Sequence, residues 1–199
     1  MKKFIPLFVT LGIIIIIVIS LIQWYATTYN ILVAKEEVVN NAMAQVQNQY
    51  QRRMDLIPML VDVVKGYAKH EKDTLESIID KRNQATKISI TKEVLEDPEA
   101  FKKFQQAQSE LSGFLTKLMA ITESYPNLKA NENFLALQSQ LEGTENRISV
   151  ERKRFNDTVS EYNIFVRQFP NNIIAGSSFR PKQMFQADSK ADIAPKINF

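Results

Sequence analysis

The chain has 199 residues and sets 25 Lys plus Arg against 22 Asp plus Glu, a net charge of only +3. That balance, without a long basic run, argues against a nucleic-acid partner held by phosphate neutralisation. Zero cysteines exclude disulfides and thiolate chemistry, one histidine excludes a His-pair metal site within the chain, and five glycines leave little room for a phosphate loop.

The first 26 residues include 19 apolar ones, and no charge stands between Lys3 and Lys35. The run from Phe4 to Ile22, with Ile13, Ile14, Ile15, Ile16 and Ile17 unbroken, reaches the roughly 20 residues that cross a bilayer as a helix. Trp24, Tyr25 and Tyr29 follow at the depth amphipathic aromatics prefer. A cleaved secretory signal would have a shorter apolar stretch and end at small residues, whereas this one runs into Gln23-Trp24-Tyr25. Residues 1–26 therefore read as an uncleaved anchor in the lipid bilayer. Lys2 and Lys3 precede it, while Lys35 is followed by Glu36 and Glu37. The positive-inside bias places the N-terminus in the cytoplasm and the body outside, as a single-pass protein of the plasma (inner) membrane.

The soluble part is periodic. Tyr29, Leu32, Glu36, Val39, Met43, Val46, Tyr50 and Arg53 recur at steps of three and four, a heptad seam. Asp55 and Pro58 resemble a cap and a first-turn proline, which predicts a new helix with the seam Leu60, Val63, Tyr67, His70 or Glu71, Leu75, Ile78 and Arg82. Asp97-Pro98-Glu99 is a strong helix start. Its seam is Phe101, Phe104, Gln108, Leu111, Leu115, Leu118, Thr122 and Tyr125, closed by Pro126. Asn131 caps a fourth helix, with Phe134, Leu137, Leu141, Thr144, Ile148, Arg152, Phe155, Val159, Tyr162, Val166 and Phe169, before Pro170. No long alternating stretch argues for a sheet. Residues 27–170 are thus expected to form an all-α, antiparallel four-helix bundle with left-handed heptad packing. Residues 171–199 are irregular yet carry Phe179, Met184, Phe185, Ile193, Ile197 and Phe199, which predicts a tail clipped onto the bundle and covering an interaction surface.

Polar seam members Glu36, His70, Glu71, Gln108, Thr144, Glu145 and Arg152 predict a buried polar layer that sets helix register. Carboxylate-bridged metal sites in bundles use two Glu-x-x-His pairs, which one histidine cannot supply. No catalytic group, cofactor or metal ligand is assigned. Arg52 and Arg53, with Glu142, Asn146 and Arg147, are the candidates for a partner face.

Several of these stretches resemble the LemA family. They include Arg52-Arg53-x-Asp55-Leu56-Ile57-Pro58, Val64-Lys65-Gly66-Tyr67-Ala68, Tyr125-Pro126-x-Leu128-Lys129-Ala130, Leu141-Glu142-x-Thr144-Glu145-Asn146-Arg147-Ile148 and Phe155-Asn156-x-x-Val159-x-x-Tyr162-Asn163. The resemblance implies a bacterial or archaeal protein with one N-terminal membrane helix and a helical-bundle domain, and it brings no catalytic residues. The expected task is non-enzymatic: a membrane scaffold or adaptor for an unidentified protein partner or for copies of itself. The alternatives are a metal- or ligand-binding enzyme using the polar layer, and a membrane-organising protein acting by lateral assembly.

Overall fold

A computed structural model describes residues 5–88 and 90–186, with side chains from Phe8 onward. Phe4, Ile193, Ile197 and Phe199 lie outside the described residues. Among the described residues seven helices follow in order: α1 (Ile5–Tyr67), α2 (Lys72–Thr86), α3 (Lys92–Glu96), α4 (Pro98–Thr122), α5 (Pro126–Lys129), α6 (Glu132–Arg167) and α7 (Asn171–Ala175). Among the described residues there is no strand.

The 63 residues of α1 form one unbroken helix, so the apolar run continues into the body without a joint. At 1.5 Å per residue it is about 95 Å long. The predicted break at Asp55 is absent. Asp55 caps nothing there; its carboxylate accepts a hydrogen bond from Gln51 Nε2 (2.8 Å) one turn earlier on the exposed face. Pro58 lacks the N–H that would serve the carbonyl of Met54, an omission that ordinarily kinks or ends a helix. Arg82 of α2 supplies the donor instead, its Nε lying 2.8 Å from Met54 O. The helix survives its proline because a neighbouring helix repairs the gap. Replacing Arg82 with Met should cost about 1–3 kcal/mol, the range for a stranded polar group. In a Pro58→Ala background the backbone N–H returns and the same replacement should cost much less, as urea unfolding of both pairs would read.

The other starts follow the sequence. Asp97 Oδ1 accepts from the backbone N–H of Glu99 (2.8 Å) and Ala100 (3.2 Å), with Pro98 in the first turn. Asn131 Oδ1 accepts from Phe134 N–H at 2.9 Å, and its amide donates to Tyr67 Oη at 2.9 Å. The start of α6 is thereby tied to the end of α1. Pro170 disfavours helical geometry before it, and α6 ends at Arg167. Gly176, at φ +50°, accepts a backbone turn that strains other residues and sends the chain into an extended tail.

Helix α6 runs antiparallel along α1: Lys35 meets Glu161 (3.8 Å) and Arg53 meets Glu145 (2.9 Å). The core is in two parts. In the half next to the apolar run, Leu32, Val39, Val46 and Tyr50 pack with Phe101, Phe104, Phe155, Val159 and Tyr162. In the far half, Ile57, Leu60 and Val64 pack with Leu75, Ile78, Leu111, Leu118, Phe134 and Leu141. Helix α2 has only 15 residues and contributes its buried side chains to the far half alone. In the near half its place is taken by Leu95 of α3 and by Phe179 and Phe185 of the tail.

Candidate functional site

Between the two apolar clusters sits Arg53, 1% exposed, at the level where Tyr50 gives way to Met54. Its Nη1 donates to Ser112 Oγ (2.8 Å) and Glu145 Oε1 (2.9 Å), and its Nη2 donates to Gln108 Oε1. The guanidinium carbon lies 5.0 Å from the centre of the Tyr50 ring. Burial pushes the Tyr50 hydroxyl above its ordinary pKa. A buried cation held by one carboxylate and two neutral acceptors fixes the mutual height of α1, α4 and α6. Sliding any of them by a turn would strand the charge.

A second buried cation belongs to the tail. Lys182 Nζ lies 2.8 Å from Glu36 Oε1 and 2.6 Å from Glu96 Oε1, and its side chain is wholly buried. Lys92 approaches the same Glu36 oxygen at 2.9 Å. Burial pushes the Glu36 carboxyl upward, but hydrogen bonds from Lys182 and Lys92 outweigh it and hold the group below the usual glutamate range. Burial also raises the pKa of Tyr162, whose ring centre lies 5.8 Å from Lys182 Nζ.

The backbone around Lys182 is held by asparagines of α6. Asn163 accepts from Lys182 N–H and donates to Lys182 O, both at 2.8 Å. Asn156 does the same with Phe185, again at 2.8 Å each way. Seven helical residues rise about 10.5 Å, and three extended residues span about 10 Å, so the two spacings match. Each side-chain amide stands in for a neighbouring strand. Phe185 then enters between α4 and α6, its ring centre 5.1 Å from Phe101 and 5.4 Å from Phe155. Arg152 covers it at 4.7 Å and donates to Gln186 O at 3.1 Å.

Farther along the same α4–α6 face is an open groove of about 440 Å³ lined by Ser112, Thr116, Met119, Leu141, Glu145 and Asn146, among others. Its buried lining residues, Leu115 and Leu141, are apolar, and its exposed ones, Thr116, Glu142 and Asn146, are polar. Glu145 belongs both to this groove and to the Arg53 cluster.

The polar layer expected from the seam is therefore split. Gln108 and Glu145 meet at Arg53, whereas Glu36 stands in the Lys182 cluster. Thr144 is buried, but its hydroxyl donates to Gln140 O (2.7 Å) within its own helix. Glu71 is half-buried near Tyr125, and Arg152 lies on the tail. His70 is exposed in the turn after α1 and is not in a layer, because the helix has already ended. Arg53 is likewise no part of an outward face; its neighbour Arg52, about 100° around the helix, is the exposed one. Glu142 and Asn146 line the groove, while Arg147 is exposed outside it. Trp24 and Tyr25 are exposed on α1, with Ile13 through Ile17.

Sequence reasoning gives Lys182, Asn156 and Asn163 no role, and it places Arg82 only as a seam member. A signal for the asparagines existed: two amides seven apart on an apolar stripe, which is costly without partners. Among the described residues no three His, Asp or Glu side chains converge as metal ligands.

Among the described residues the architecture is all-helical, led by one helix long and apolar enough to cross a membrane. Residues 42–199 match the LemA family, and the chain belongs to that family. It is 25% identical over 206 residues to Magnetosome protein MamQ 2 of Paramagnetospirillum magneticum, covering 92% of this chain and 76% of that protein. Magnetosome protein MamQ of Magnetospirillum gryphiswaldense is 24% identical over 212 residues, covering 96% and 78% respectively. Protein LemA of Metamycoplasma hominis is 25% identical over 151 residues, covering 76% of this chain and 65% of its own length.

Proposed function

We propose that the chain is a non-enzymatic adaptor, anchored in the plasma (inner) membrane by the start of α1 and presenting the α4–α6 groove outside the cytoplasm to a protein partner. The observation that carries this reading is the groove itself. It lies between the same two helices that Phe185 enters in the near half, beyond the Arg53 cluster, so a helix or extended segment with an apolar anchor suits it. We read the body as an antiparallel four-helix bundle with left-handed heptad seams. Burial of Leu32, Val39, Met43, Val46 and Tyr50 on α1 supports it, as does that of Phe134, Leu141, Ile148, Phe155 and Val159 on α6.

The lack of native cysteine makes Asn146→Cys a unique handle. In intact cells with a permeabilised outer layer, a membrane-impermeant maleimide should label it, and a photoactivatable maleimide there should give a discrete adduct. Arg147→Cys, pointing about 100° away, should give little. Adducts between copies would favour lateral assembly. Equal yields at both positions would overturn the groove reading, and labelling only after lysis would reverse the orientation.

A further inference from the structure

We propose that the connection from the end of α6 through α7 rests on the lipid surface, with Phe169 and Ile173 inserted among the headgroups beside the span. This rests on the reading of α1 as a membrane anchor and adds a second, non-spanning contact.

Exposure is the first observation. Phe169 is 81% exposed, more than any described apolar side chain of the span, among which Phe8 at 69% is the highest. Ile173 follows at 67%. Two large apolar side chains held in water, close in sequence and at one end of a folded body, call for a cover.

Height supplies the cover. Along α1, burial begins at Thr28, and Tyr29 meets Phe179 edge-on at 5.5 Å. Helix α7 packs on α1. From Lys35 opposite Glu161 and Arg53 opposite Glu145, the antiparallel register brings Phe169 level with the stretch from Thr27 to Tyr29. Thr28 stands six residues, about 9 Å, beyond the end of the apolar run at Ile22. The headgroup layer is roughly 5–7 Å deep on each side of the hydrocarbon. A phenylalanine reaching back from that level enters it. Trp24 and Tyr25, about 3 and 4.5 Å beyond Ile22 on α1, stand within that layer.

Charge agrees with this placement. From Tyr162 through Pro181 the chain has no acidic residue and two arginines, Arg167 and Arg180, both exposed. Apolar tips flanked by cations and lacking carboxylates suit an anionic lipid surface. The first acidic group on this end, Glu161, is set back beside Lys35.

The test uses the full chain in vesicles of phosphatidylcholine with phosphatidylglycerol, some lipids carrying a spin label high on the acyl chain. An environment-sensitive fluorophore is placed on Ile173→Cys and, separately, on Asn133→Cys at the far end of the body. The chain's one tryptophan, Trp24, reports on the anchor. We expect the label at position 173 to shift to the blue and lose emission to the quencher, and the label at 133 to do neither. If Trp24 is quenched while 173 behaves like 133, the anchor stands and the lipid contact is overturned. Should Trp24 itself escape quenching, the anchor reading and the contact fall together. A Phe169→Ser change should reduce quenching at 173 without altering the Trp24 signal, and an unchanged 173 signal would count against insertion of Phe169.

Discussion

Glu145→Gln should destabilise the body by about 3 kcal/mol, the lower end of the range for leaving a buried charge unpaired. The change is nearly isosteric, and the Glu145 side chain is 37% exposed, so a surface reading would expect almost no effect. Its partner decides the matter, because Arg53 is 1% exposed and the carboxylate is its only counter-ion within 4.0 Å among the described residues. Arg53→Met should cost less, about 1–2 kcal/mol: the charge leaves with the side chain, Glu145 turns to water, and the buried Gln108 is the main group stranded. Urea unfolding in mild detergent gives both values. If Arg53→Met proves the costlier of the two, the guanidinium contributes through its contacts rather than demanding compensation, and the ion-pair account is wrong.

Lys182→Met should cost about 3–5 kcal/mol at neutral pH, since it leaves the Glu36 and Glu96 carboxylates without the cation they share. Lys92 remains beside Glu36 and moderates the loss. The sign of the pH dependence follows from the lowered Glu36 pKa. A carboxyl held below its unfolded value contributes stability that is complete above the ordinary glutamate pKa, about 4.3, and is lost as pH falls through the lower folded value. The parent's advantage over Lys182→Met is therefore largest near neutrality and shrinks in acid. Melts followed by circular dichroism across that range would show it. An advantage that is constant with pH would mean that the Lys182 side chain acts through packing and not through its charge, and no advantage at all would leave only its backbone bonds to Asn163, which methionine keeps.

The stripe positions were legible because burial of a helix face repeats every three or four residues whatever covers it. Phe101, Phe104, Leu111, Leu115 and Leu118 are all buried as their spacing requires. The same pattern overran at the ends: Tyr29, Tyr67 and Phe169 continue a seam but are exposed, since periodicity does not say where the neighbouring helix stops. Pro58 misled for a different reason. Its local preference to end a helix was overridden by Arg82, 24 positions away in sequence, which no local rule can see. The tail escaped reading in detail because Lys182, Asn156 and Asn163 look like ordinary surface residues until extended chain and helix are laid in register.

The unbroken course of α1 makes the protein a rigid lever. From Ile22 to Tyr67 the helix projects about 68 Å at 1.5 Å per residue. A tilt of about 20°, ordinary for a spanning helix, would swing its far tip sideways by roughly 23 Å. With no joint at the bilayer, every change in the span's lean or roll becomes a sweep or a turn of the whole body. The groove beside Glu145 faces one azimuth set by the lipid-embedded segment. On the proposed reading of α1 as an anchor, bilayer thickness, which governs lean, would also govern which neighbours the groove can face.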